Sequence, residues 1–124
     1  IKVVAVSKTK STEKIKEIYD LGHRDFGENK VQELVKKHED LPKDINWHMI
    51  GKLQRNKVKY IAPFIHLIHS VDSERLLNQI NKEGDKNNRI INVLLQIKIS
   101  NDPLKTGFEY SELGDMFSGS IFLK

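Results

Sequence analysis

Short apolar runs alternate with helix-like segments along this chain, and the predicted strands start near residues 3, 24, 46, 66 and 90. The resulting spacing of 20 to 24 residues is that of compact strand–helix units, and such alternation predicts a parallel sheet covered by helices. Residues 3–6 form an apolar, largely β-branched run, too short for a helix and read as a buried strand. Ser11 is placed to cap a helix carrying Ile15, Ile18 and Tyr19, with Gly22 placed to end it. A strand is expected over 24–27. Asn29 and Gln32 resemble a capping box that opens a helix with Val31, Leu34 and Val35 on one face. Residues 46–50 predict a third strand and 54–62 a third helix, stopped by Pro63. Residues 66–70 predict a fourth strand, then a helix capped by Asp72 or Ser73, bearing Leu76, Leu77 and Ile80 and ending near Gly84. The apolar run over 90–99 predicts the fifth strand.

Two architectures accommodate this rhythm, an open doubly wound sheet and a (β/α)8 barrel. No G-x-G-x-x-G turn follows the first strand, which counts against a dinucleotide-binding sheet. A length of 124 residues suits one domain, and five units are too few to close a barrel of eight. The chain starts without Met, inside a strand, and is expected to be a fragment of a longer protein. Cysteine is absent, which excludes disulfides, zinc-thiolate sites and thiol nucleophiles and agrees with a cytoplasmic setting. No apolar run is long enough for a membrane span. The net charge of +4 is uneven: residues 1–60 hold 14 Lys/Arg against 9 Asp/Glu, and the rest hold 7 against 8. That bias can attract phosphate-bearing partners but is too diluted by acids to indicate nucleic-acid binding.

In either architecture chemistry gathers at the carboxyl ends of the strands. Those ends read Ser7-Lys8, Gly27-Glu28-Asn29, His48 to Gly51, His69-Ser70-Val71-Asp72, and Ser100-Asn101 followed by Lys105-Thr106-Gly107. Lys8 follows a buried strand, where partial desolvation would favour the neutral amine that attacks aldehydes. Its plainer reading is a strand end that reaches solvent. Asn29 reads equally as a helix cap, and His48 as a satisfied core histidine. Lys52, Arg55, Lys57 and Lys59 form a basic turn that suits an anion or a solvated face. No His/Asp/Glu grouping has convincing metal-ligand spacing, so no metal is expected.

Taken in order, these motifs resemble the pyridoxal phosphate homeostasis proteins, the YggS-like family. The matching strings are Val4-Ala5-Val6-Ser7-Lys8-Thr9-Lys10, Phe26-Gly27-Glu28-Asn29-Lys30-Val31-Gln32-Glu33 and Trp47-His48-Met49-Ile50-Gly51-Lys52-Leu53-Gln54-Arg55-Asn56-Lys57. His69-Ser70-Val71-Asp72, Leu95-Gln96-Ile97-Lys98-Ile99-Ser100 and Lys105-Thr106-Gly107-Phe108 complete the series. The resemblance implies an α/β fold, a (β/α)8 TIM-type barrel of the alanine racemase N-terminal type, here as its first five β/α units. It implies that Lys8 holds pyridoxal 5′-phosphate as a Schiff base, with Lys10 the competing candidate. Asn29, His48 and Lys105 would surround the cofactor. Members of the family are thought to carry and buffer the cofactor in vitamin B6 and amino-acid homeostasis. They are not known as robust catalysts, and pyridoxal phosphate-dependent enzymes would be the acceptors.

The chain departs from the family in its extent. Strands six to eight, where the family places its phosphate donors, are expected to be missing. The resemblance fades after Phe108, so residues 1–124 are expected to form one partial barrel domain with 112–124 left open. Phosphate contacts supply much of a phosphorylated ligand's affinity, so binding by these residues alone is expected to be weak. Unpaired edges on the outer strands would promote association, whereas the full-length protein is expected to be a monomer. A pyridoxal phosphate-dependent racemase is the rival enzyme reading. It would need a second acid/base, yet Tyr19, Tyr60 and Tyr110 all lie outside the motifs. An anion- or nucleic-acid-binding module using Lys52, Arg55, Lys57 and Lys59 is the third reading.

Overall fold

The computed structural model describes residues 2–96. Five strands, β1 (Ala5–Val6), β2 (Asp25–Glu28), β3 (Asn46–Met49), β4 (Leu67–Val71) and β5 (Asn92–Leu95), form one sheet in the order β1-β2-β3-β4-β5. Every neighbouring pair is parallel. The helices between them are α1 (Thr12–Asp20), α2 (Val31–Asp40), α3 (Val58–Ile61) and α4 (Glu74–Lys86). A doubly wound sheet reverses its strand order at a switch point, whereas a β/α barrel adds each strand beside the last. The sequential order here is that of the barrel.

One face of the sheet makes the core. Phe26, Trp47, Met49 and Ile68 are completely or almost completely buried there, packed with Ile15 of α1, Leu34 of α2, Ile61 of α3 and Leu76 and Ile80 of α4. Each such side chain contributes about 1.5–3 kcal/mol through burial. The register pairs Phe26 with Trp47 and Gly27 with His48, so alternation turns Gly27 and His48 to the opposite face. A Cβ on Gly27 would lie 3.1 Å from side-chain carbons of Val4 and Ile50, which places those residues on that second face too. Val6 and Leu94 are about half exposed there.

Several local expectations hold. Ser11 and Ser73 cap α1 and α4, their hydroxyls accepting from the Lys14 and Leu76 N–H groups at 3.2 Å. Gly22 follows α1 with φ +102°. Others need correction. The first strand is only Ala5–Val6, not residues 3–6, and the fifth is Asn92–Leu95, with residues 97–99 of the expected run outside the described range. Residues 54–62 divide into a 3-10 turn, Arg55–Lys57, and the single turn α3.

The Asn29–Gln32 capping box does not form: Lys30 is the N-cap of α2 and gives no side-chain cap. Asn29 is held instead by the approach of Gly51, where a Cβ would stand 2.5 Å from the Asn29 carbonyl oxygen. Helix α4 passes Gly84 and ends at Lys86. Gly84 serves the chain's return, since a Cβ would meet the Arg89 carbonyl at 2.9 Å and the Arg89 N–H donates to the Gly84 carbonyl.

Candidate functional site

The residues after β1 form a tight turn built from both sides. Ser7 is buried, its N–H donating to the Gly27 carbonyl at 2.9 Å and its own carbonyl accepting from the Lys10 N–H at 3.1 Å. Lys8 and Thr9 are exposed, and Thr9 stands at φ 61°, in the left-handed region. Ser7 turns to the helix side, where its hydroxyl meets Glu28 and its carbonyl meets Lys37. The Lys8 ammonium has no ion-pair partner among the described residues. The partial burial expected of it is not found: the strand ends before Lys8, and the turn lifts the side chain clear.

Beneath this turn lies a buried charged group that the sequence gives little warning of. Glu28 is fully buried and Lys37 nearly so. The Lys37 ammonium donates to the Ser7 carbonyl at 2.7 Å, to Glu33 Oε2 at 2.8 Å and to Glu28 Oε2 at 3.1 Å. Glu33 Oε2 also accepts from the Thr9 N–H at 2.9 Å. Hydrogen bonds from Lys37 first, and then from Thr9, bring the Glu33 carboxyl down to about 2. Burial pushes Glu28 up, against the pull of Ser7 and Lys37. Geometry supports that direction. The Ser7 hydroxyl has one proton but contacts both Glu28 Oε2 and the Gly27 carbonyl. A proton on Glu28 lets both contacts be hydrogen bonds, and it spares the buried Oε1, which has no partner, from carrying charge. Glu28 therefore belongs under the turn rather than on the open rim where its place after Gly27 put it.

Across the sheet's other face runs a second polar line. His48 is fully buried. Its Nε2 lies 3.0 Å from Asp25 Oδ1, and its Nδ1 lies 2.8 Å from His69 Nε2. With the Nε2 proton donated to Asp25, Nδ1 is left to accept from His69. Burial holds His69 and His66 below the ordinary imidazole value, with His48 nearby adding to the effect. Burial raises the Asp25 carboxyl, but the His48 hydrogen bond and the Lys2 charge outweigh it, and the net shift is downward. Asp25, His48 and His66 offer ligand atoms within 4.8 Å of one another. They are far apart in sequence, which is why spacing did not reveal them. A cation there would have to break the His48–Asp25 bond and displace Lys2, whose ammonium lies 3.6 Å from Asp25. The arrangement serves better as a hydrogen-bonded support than as a metal centre.

The predicted residues thus divide. Lys8 and Asn29 stand at the carboxyl ends of adjacent strands, Asn29 half-buried with no side-chain hydrogen bond among the described residues. His48 is the buried middle of a relay, so its plainer reading as a satisfied core histidine agrees with its contacts. Lys105 lies outside the described residues. Of the basic turn, Arg55 and Lys59 line a groove against α4 that Glu83 also lines. At the end of β4 the register shifts between Ile68 and Val71, and Ser70 Oγ donates to the Ile50 carbonyl at 3.1 Å, tying β4 to β3 beside Gly51. No helix among the described residues is long and apolar enough to cross a membrane.

Comparison with known proteins adds a lineage to this geometry. Residues 1–119 match the alanine racemase N-terminal domain. A pyridoxal phosphate homeostasis protein of Aquifex aeolicus (strain VF5) is 41% identical over 123 residues, covering 98% of this chain and 54% of that protein. The solved structure of PipY from Synechococcus elongatus PCC7942 without PLP superposes with a TM-score of 0.85 at 37% identity, over 95% of this chain and 56% of PipY. The same protein with PLP bound gives a TM-score of 0.83 at 36% identity, over 95% and 55%. The chain spans about half the length of the relatives it matches. These matches, in keeping with the sequential strand order, establish that the chain belongs to the alanine racemase N-terminal domain family and is similar to the pyridoxal phosphate homeostasis proteins.

Proposed function

We propose that this chain is the part of a pyridoxal phosphate homeostasis protein that holds the cofactor as a Schiff base on Lys8. The observation that carries the reading is the exposed amine of Lys8, without an ion-pair partner among the described residues, on a fixed turn at the carboxyl end of β1. The donor set fits the group: a carbonyl ligand requires a primary amine it can reach, and Asn29, just after β2, offers an amide with no hydrogen bond among the described residues. Pyridoxal phosphate supplies an aldehyde and, once linked, an electron sink. Lys8 would supply the imine nitrogen and two protons, which leave as water with the aldehyde oxygen. His48, Asp25 and His69 support the interior face below, while Lys105 is the further candidate at the pocket mouth.

A carrier role in vitamin B6 and amino-acid homeostasis is favoured over racemisation. Tyr19 lies on α1 with its hydroxyl on Asp44 at 2.5 Å, and Tyr60 lies on α3. Neither stands on the strand rim, where a second acid/base would be needed, and Tyr110 lies outside the described residues. The names of the relatives support the same side. Pyridoxal phosphate-dependent enzymes are the proposed acceptors, in a cytoplasmic setting.

Addition of pyridoxal phosphate should produce an absorbance band near ~420 nm, which borohydride reduction fixes on Lys8. Lys8→Ala should abolish the band with the melting temperature unchanged. A band that survives, mapped to Lys10 or to no single lysine, would refute the assignment.

A further inference from the structure

Lys8 is flanked by two peptide groups, and helix α2 holds both. The carbonyl of Ser7, just before it, accepts from the Lys37 ammonium at 2.7 Å. The N–H of Thr9, just after it, donates to Glu33 Oε2 at 2.9 Å. Glu33 and Lys37 are one helical turn apart and joined to each other at 2.8 Å, so the two grips form a single clamp. Its base is buried: Lys37 is 6% exposed, and beneath it lies Glu28. The clamp also accounts for the backbone of Thr9, because a β-branched residue at φ 61° persists only where its surroundings fix it.

We propose that Glu33 and Lys37 are positioning residues that fix the direction in which the Lys8 amine leaves the turn, and so select Lys8 over Lys10 for the cofactor. The inference rests on the Schiff-base reading above. Both amines are exposed on one turn, and Lys10 lines a groove with Glu13, Glu33 and Asp40. The backbone differs as well: Lys8 is held from both sides by α2, whereas the Lys10 N–H is held by the Ser7 carbonyl. Rigid placement of a reacting amine raises its rate by orientation alone, and small misplacements are costly.

The test uses the full chain and four variants: Glu33→Ala, Lys37→Met, Lys37→Arg and Lys8→Ala. Amide hydrogen exchange at Thr9 and Lys10, read without cofactor, reports the clamp directly. Borohydride trapping after adding pyridoxal phosphate, followed by peptide mapping, reports the partition of label between Lys8 and Lys10. The expected result for Glu33→Ala and Lys37→Met is about tenfold faster exchange at Thr9, about tenfold slower growth of the band, and label spread onto Lys10. Lys37→Arg, which keeps charge and donors, should restore most of the preference for Lys8. Glu33 is partly exposed, so Glu33→Ala carries the test should Lys37→Met fail to fold. Unchanged partition and rate in a folded Glu33→Ala protein overturn the inference, whether or not exchange at Thr9 rises. If the parent band vanishes in Lys8→Ala while that result stands, the Schiff-base reading survives alone. A band that persists in Lys8→Ala overturns both.

Discussion

At the scale of single residues, this protein separates groups that react from groups that support. Lys8 is exposed and His48 is completely buried, although both belong to motifs of equal apparent weight in the sequence. The supporting histidines carry a pH signature. His66 and His69 are held below the usual 6.5, chiefly by burial. For His66, Lys2, Arg89 and His48 add to that shift, and the opposing pull of Asp25 does not cancel it. As pH falls through about 6.5 the unfolded chain takes up protons that the folded chain refuses, so stability declines below that value. Above it both states are neutral at these positions and the contribution is flat. The histidines therefore lower the melting temperature as pH falls from 7 to 5, against an opposing gain from the raised Glu28 carboxyl, and His69→Asn should make the melting temperature fall less over that range. The sequence singled out Lys8 because it follows an apolar run, and Asn29 because it stands at the end of the next strand, after Gly27-Glu28. The contacts of Asp25 and His69 with His48, and of Lys37 with the Ser7 carbonyl, were not legible there, since those partners lie 21 to 30 residues away and only the fold brings them together.

At the scale of elements, periodicity located the five strands and four α-helices found among the described residues, and erred at their ends. The Asn29–Gln32 spacing imitates a capping box, but the neighbouring strand's loop decides the matter by pressing Gly51 against Asn29. Gly84 imitates a helix stop, yet the helix needs it for the chain's passage at Arg89. Such close approaches are pairwise facts that no single segment contains. Gly51→Ala would place a methyl 2.5 Å from the Asn29 carbonyl and 2.9 Å from its Cα. Backbone cannot yield as a side-chain end does, so the substitution should cost about 1–3 kcal/mol. Urea denaturation will measure that cost. Half-saturation with pyridoxal phosphate should also shift to higher concentration, because the displaced residue is Asn29.

At the scale of the whole molecule, the decisive feature is strand order, and it was only half legible. Alternation implied a parallel sheet, but two topologies shared that pattern until the pairing resolved them. Among the described residues β1 and β5 are the outer strands, and Val6 and Leu94 are about half exposed on the face away from the helices. These 124 residues expressed alone should therefore self-associate at micromolar concentration. Sedimentation velocity checks this, and a lone monomer peak at tens of micromolar would be the contrary result. Sequential pairing also bears on how the protein is made. Each strand's first partner is the strand before it, so contacts are local and the order in which the chain leaves the ribosome is the order in which the sheet grows. The turn bearing Lys8 waits only for β2 and α2, so its geometry can be set early in synthesis, before most of the chain has emerged.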